Sequence, residues 1–329
     1  MALTKEQREI VKILKGIRKN LNNKKKTCMV DGCENIAINS HILQRHGILD
    51  NIIENGHMIE LRPNDMFKWS EDESPIEFKL VGLNDALSNP LFCNYHDTEL
   101  FLDIEKGVPD LNNYRNILLF SYRAICADEY KKRFEAEFIN RQIQSRTLNF
   151  DNKRLSAVRQ AFLDGVRDLE RMKNLILDEI KESNDRFEMV HLEYPFFPIY
   201  ASSPFNFETN SDKLESPEMW DGGIIHIIPL ECKLHIIFVY LKECLNEDMG
   251  KYIDSWKTAD KTTFGKLLTD LFSQRIENFG MSPSLYRSLN IRSIKNFFKF
   301  LLSSYEVYDM NRYADFNIFE GEIWDSYQM

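Results

Sequence analysis

Apolar positions near the start of the chain step by three and four: Ile10, Ile13, Leu14, Ile17 and Leu21 share one helical face. Thr4 and Gln7, three apart ahead of that stripe, match a capping box, and Asn22, Asn23 and the Lys24-Lys25-Lys26 run end the predicted helix. From residue 27 to about 105 the pattern shortens to β-like pieces at 36–43 and 58–61, with a short helix expected near 45–54. Glu71, Asp72, Glu73, Ser74 and Pro75 read as a loop or hairpin tip. Long helices are predicted from 111 to about 184. Leu155, Val158, Phe162, Val166, Leu169, Met172, Ile176 and Ile180 form a stripe behind an Asp151 N-cap, wide enough to be a core face. β-type residues return after Phe187, with an aromatic, Pro-interrupted stretch at 191–200. The runs 224–229 and 234–240 flank the turn Glu231-Cys232-Lys233 as a hairpin. The segments 267–276, 282–289 and 293–304 read as helices, the middle one opened by Ser-Pro.

The expected fold class is therefore α+β. The 329 residues, 43% of them apolar, allow about two domains with a real core. No run of eighteen apolar residues is present, so no membrane span is expected, and no fixed-period repeat occurs. The opening residues mix charge with hydrophobe, unlike a secretory leader, and the expected location is cytoplasmic. Net charge is −9, but the basic residues are gathered. Residues 1–30 carry nine Lys/Arg against two Glu, 31–112 carry five against sixteen acidic residues, and 113–181 carry fourteen against ten. Affinity for nucleic acid comes largely from Lys and Arg displacing counterions, so the two basic stretches are a candidate grip: Lys24, Lys25 and Lys26 in the first, Arg115 and Arg123 in the second. The alternative is that they are solvated helix faces.

Three of six Cys and four of seven His lie in the first 97 residues. Cys28-Met-Val-Asp-Gly-Cys33 sets two thiols across a tight turn, and Cys93-Asn-Tyr-His96 sets a thiol and an imidazole three apart. Two such pairs suit tetrahedral Zn²⁺, with Cys28, Cys33, Cys93 and His96 as ligands of a structural ion. The competing reading is a set of free buried thiols, which leaves the ligand spacing of both pairs unexplained. Cys126, Cys232 and Cys244, in apolar company, are expected to be ordinary core residues. Ser202 and Ser203 lack a Gly-rich elbow and are discounted as nucleophiles.

His41 follows Ile38-Asn39-Ser40, and Asp97 directly follows the second pair. A Cys pair, then Ser-His-Ile, then Leu-Phe-Cys-x-x-His-Asp-x-x-x-Phe resembles the zinc-stabilised HNH endonucleases over about 75 residues. The resemblance implies a ββα-metal unit of treble-clef type, with His41 as the general base and Asp97 as a ligand of a catalytic Mg²⁺ or Mn²⁺. It also implies Asn89 as the residue that orients the base. Ser40 stands where the family has Asp, Glu or His, Asp97 stands for its last His, and Asn89 lies one residue closer to Cys93 than the family's spacing. The wider pattern, Ser40-His41-Ile42-Leu43-Gln44 with Phe92 through Glu105, is similar to uncharacterised bacterial HNH-like proteins, which implies an antiviral defence role. The chemistry is coherent: phosphodiester hydrolysis needs a base near neutrality and a hard cation for the growing charge.

The organisation expected is a basic amphipathic helix at 1–26, a zinc-bound HNH-like domain at 27–110, a helical region at 111–186 and a mixed α+β domain at 187–329. The expected function is a metal-dependent nucleic-acid endonuclease, with homo-oligomerisation open through the helical region. The alternative is a non-catalytic zinc-binding protein or nucleic-acid sensor. His57 is either a second imidazole in the same cleft or a turn-capping residue, and His46 is expected to be exposed.

Overall fold

The computed structural model describes residues 3–68, 75–206, 222–245, 247–306 and 313–320, in a mixed α+β arrangement. Helix α1 (Lys5–Asn22) begins as its sequence predicts, with the Thr4 side chain accepting from the Gln7 N–H and the Gln7 side chain from the Thr4 N–H. Its apolar stripe packs Val11 and Leu21 with Met66 and Phe138. Strand β1 (Ile38–His41) pairs antiparallel with β4 (Ser88–Phe92), and β4 runs into α2 (Asn94–Glu99) and α3 (Leu102–Glu105). Between β1 and β4 the chain makes a short 3₁₀ turn at Leu49–Asn51 and the hairpin β2 (His57–Pro63) with β3 (Ile76–Gly82). Residues 69–74 of the expected tip lie outside the described residues; Pro75 accepts from the Asn64 N–H at 2.7 Å, so the flanking strands do close as a hairpin.

Helices α4 (Tyr114–Ile143) and α5 (Asn152–Glu182) follow, α5 capped by Asp151 as predicted. Strands β5 (Phe187–Pro195), β6 (Ile199–Asn206), β7 (Gly222–Leu230) and β8 (Lys233–Leu241) come next. The β7–β8 turn is the expected hairpin, with Glu231 and Cys232 at φ of 50° and 61°, the left-handed pair that a two-residue turn requires. That position exposes Cys232, which corrects the expectation that it is a core thiol; Cys126 and Cys244 are buried. Helix α6 (Glu247–Lys257) has no counterpart in the sequence expectation. Helix α7 (Lys261–Asp270) starts at an Asp260 cap, earlier than expected, and passes into a π turn at Leu271–Arg275. Strand β9 (Phe279–Met281), α8 (Pro283–Ser288) and α9 (Ile291–Glu306) complete the described chain apart from residues 313–320.

Among the described residues seven strands form one sheet in the order β3-β2-β9-β6-β7-β8-β5, antiparallel throughout. Every residue of β7 is buried. The period of two explains why: Ile224, Ile228, Ile237 and Val239 pack with α4 and α5, while Ile225, Ile227, Ile236 and Phe238 pack with Trp256, Phe264, Leu285 and Phe297 on the other face. Strands covered on both faces read as unbroken apolar runs. The expected boundaries at 110 and 186 do not separate cores. Strand β2 enters the sheet by pairing with β9 (Ile59↔Met281), and Cys28, Phe92 and Phe101 share a cluster with α4 and α5. Gly280 is obligatory at that seam, because a Cβ there would strike the Tyr200 hydroxyl and the Ile59 carbonyl.

Candidate metal centre

The first knuckle is shaped by backbone hydrogen bonds: the Cys33 N–H donates to Val30 O at 3.0 Å and the Cys28 N–H to Asn35 O at 2.9 Å, with Gly32 at φ 77° between them. The Met29 N–H donates to Leu91 O at 2.8 Å, which docks the knuckle against β4. Cys93 is the N-cap of α2 and His96 sits in that helix. The four ligand atoms lie within 4.8 Å of one another. His96 Nδ1 is 3.3 Å from Cys28 Sγ and 3.5 Å from Cys93 Sγ, and the Cys33 and Cys93 sulfurs are 3.9 Å apart. A tetrahedral zinc with ordinary bond lengths separates sulfurs by about 3.8 Å and sulfur from nitrogen by about 3.6 Å. The cage therefore has the dimensions of a closed structural zinc site, and the donor set fits the ion. Burial pushes the Cys28 thiol up to about 11, whereas the His96 backbone N–H draws the Cys93 thiol below its ordinary value. Lys173 of α5 reaches from Glu129 (3.2 Å) to Asp31 in the knuckle (3.4 Å), tying the centre to the long helices.

His41 ends β1, with Nε2 3.1 Å from the Leu83 carbonyl oxygen. A carbonyl only accepts, so Nε2 carries the proton and Nδ1 the lone pair. Burial depresses its pKa, and the Arg45 and Arg123 charges act the same way. Ser40 is buried and accepts from the Phe92 N–H at 3.3 Å, so it serves the β1–β4 ribbon. Asn89 stands opposite Ser40 in the register, while His41 stands opposite Ser88. Alternation then puts Asn89 on the other face of the ribbon from His41, so the two are not brought together.

Asp97 turns toward α4, where Arg123 Nη2 lies 3.7 Å from its Oδ1. Arg123 is only 2% exposed, pairs also with Glu105, and lies over the Phe101 ring at 4.0 Å. The expectation of Arg123 as a surface grip is thus corrected: its charge is consumed inside. Gln44 closes the same corner, donating to the Glu105 and Gly107 carbonyls at 3.0 Å each. Arg115 is exposed but donates to Ile180 O at 2.5 Å. Lys26 bends back to Leu21 O, and burial lowers its pKa, while Lys24 and Lys25 are exposed.

His57 bonds its own turn at Asn55 O (2.7 Å), and His46 is exposed beside Asp50. Ser202 does meet a histidine: its hydroxyl is 2.9 Å from His226 Nδ1, and Ser121 Oγ is 3.0 Å from Nε2. All three are buried with no carboxylate in the chain of bonds, which makes a satisfied core network. Sequence reading missed a second group of ligand atoms, His191, Glu193 and His235. The alternation of His191 and Glu193 along one strand was its only local signal.

Among the described residues no helix is long and apolar enough to cross a membrane. Comparison with protein families, with curated proteins and with solved structures finds no match for this chain.

Proposed function

We propose that the chain is a metal-dependent nucleic-acid endonuclease, with His41 and Asp97 at the cleavage site of a zinc-stapled ββα unit of treble-clef type. The observation that carries this reading is the hydrogen bond from His41 Nε2 to Leu83 O, which leaves Nδ1 free to accept a proton from water. Burial keeps the ring neutral and ready to act as a base at physiological pH. Asp97 directly follows the last cage ligand, and its buried Oδ1 makes no hydrogen bond, the Arg123 guanidinium standing 3.7 Å away. One carboxylate, completed by substrate phosphate and water, is a donor set that Mg²⁺ or Mn²⁺ accepts. Such an ion supplies stabilisation of the charge that grows on the phosphoryl oxygens. Exposed Lys24 and Lys25 give phosphates a point of attachment whose contribution falls as salt rises. A cage built on cysteine thiols accords with a reducing, cytoplasmic setting.

The Arg123–Asp97 pair favours a second reading, a non-catalytic zinc-binding module or nucleic-acid sensor in which the carboxylate neutralises a buried cation. Cleavage of plasmid DNA and of RNA with Mg²⁺ or Mn²⁺ separates the two. The endonuclease reading expects His41→Ala and Asp97→Ala each to abolish cleavage while the cysteine cage keeps its zinc. Wild-type protein that binds nucleic acid without cutting it, or variants that cut as well as wild type, leaves the module reading standing.

A further inference from the structure

Strand β5 forms one edge of the large sheet and pairs along its whole length with β8. His191 and Glu193 are two apart on β5, and Glu193 stands directly opposite His235 on β8. The period of two therefore puts all three side chains on one face. His191 Nε2 lies 2.9 Å from His235 Nδ1, and that nitrogen lies 3.8 Å from Glu193 Oε1. We propose that His191, Glu193 and His235 form a second metal site, separate from the cysteine cage, that takes a divalent first-row transition ion such as Zn²⁺.

The spacing suits such an ion. With metal–ligand bonds of about 2.1 Å, adjacent donors stand about 3.0 Å apart at right angles and about 3.4 Å apart in a tetrahedron. The two imidazole nitrogens already have the right-angle separation, and Glu193 is exposed with its Oε1 3.8 Å from His235 Nδ1. The surroundings set the lone pairs. Asn112 Oδ1 lies 3.0 Å from His191 Nδ1, and because an amide oxygen only accepts, the proton belongs on Nδ1 and the Nε2 lone pair faces His235. The remaining nitrogen of His235, Nε2, is buried and can hold the ring proton once Nδ1 is ligated. Lys233 occupies the other oxygen of Glu193 and leaves Oε1 to the ring pair. Glu193 and Asn112 are exposed, so the outward coordination positions belong to water. Two histidines and a carboxylate with open positions are a donor set of the catalytic type, unlike the closed cysteine cage.

The test is calorimetric titration of the full chain, its cysteine cage already loaded, with Zn²⁺ alone. Wild type is expected to take up one further equivalent. His191→Ala and Glu193→Gln should abolish that uptake or weaken it at least tenfold, and Asn112→Ala should weaken it about tenfold with the stoichiometry kept. Retention of the cage zinc in each variant reports an intact fold, and Glu193→Gln alters only an exposed side chain. No further equivalent in wild type, or the same affinity in wild type, His191→Ala and Glu193→Gln, overturns the proposal. Either result leaves the endonuclease reading untouched, since none of these residues belongs to the cage or to the His41 corner.

Discussion

The Arg123 guanidinium lies 3.7 Å from the Asp97 carboxylate, although Arg123 comes from the first third of α4 and Asp97 from a six-residue helix beside the cysteine cage. Phe101 forms the floor under the cation, and Glu105 supplies the second carboxylate. Four side chains from residues 27–110 thus meet one another through a residue outside that stretch: Gln44 holds the backbone of Glu105, Glu105 and Asp97 hold Arg123, and Phe101 stacks beneath.

Removing that cation leaves carboxylates at the margin of the core without compensation. Arg123→Ala should lower stability by about 2–3 kcal/mol, less than for a wholly buried pair because both carboxylates are partly exposed. Arg123→Lys should recover only part of the loss, since an ammonium lacks the fork that spans two carboxylates. Urea unfolding measures both, and a loss below about 0.5 kcal/mol for Arg123→Ala would remove Arg123 from its place at the centre of this corner.

His226 provides a pH dependence with a definite sign. Burial lowers its pKa to about 3 in the folded chain, against about 6.5 when unfolded. Below pH 6.5 the unfolded state binds the extra proton, so this contribution is complete above pH 6.5 and falls by about 1.4 kcal/mol per pH unit as acidity increases toward pH 3. Unfolding midpoints between pH 7 and 4.5 should show that slope in wild type. His226→Gln, which retains hydrogen-bonding groups near Ser121 and Ser202, should flatten it.

Zinc at the cysteine cage should be inseparable from order in the N-terminal unit, because a cage of this kind exists only when the knuckle and α2 are both folded. Cys93→Ser is expected to lose the ion and to open the cage region to limited proteolysis. Cys232→Ser, which alters an exposed thiol in a hairpin turn, should change neither metal content nor cleavage pattern. Elemental analysis of the two variants beside wild type checks this, and a cage variant with full zinc content contradicts it.

The amino-acid sequence alone determined what depends on near neighbours. The Thr4–Gln7 box, the Asp151 cap, the β7–β8 turn and the two metal-ligand pairs are each written within a few residues, and hydrogen bonds or ligand geometry of short reach enforce them. Tertiary structure decided which distant pieces meet. Pairing of Ile59 with Met281 drew β2 into the large sheet, the β1–β4 register turned Asn89 away from His41, and helix packing buried Arg123. Strand register also brought His191 to His235. Such contacts follow from how two surfaces fit when both are buried, and local periodicity holds no record of the partner.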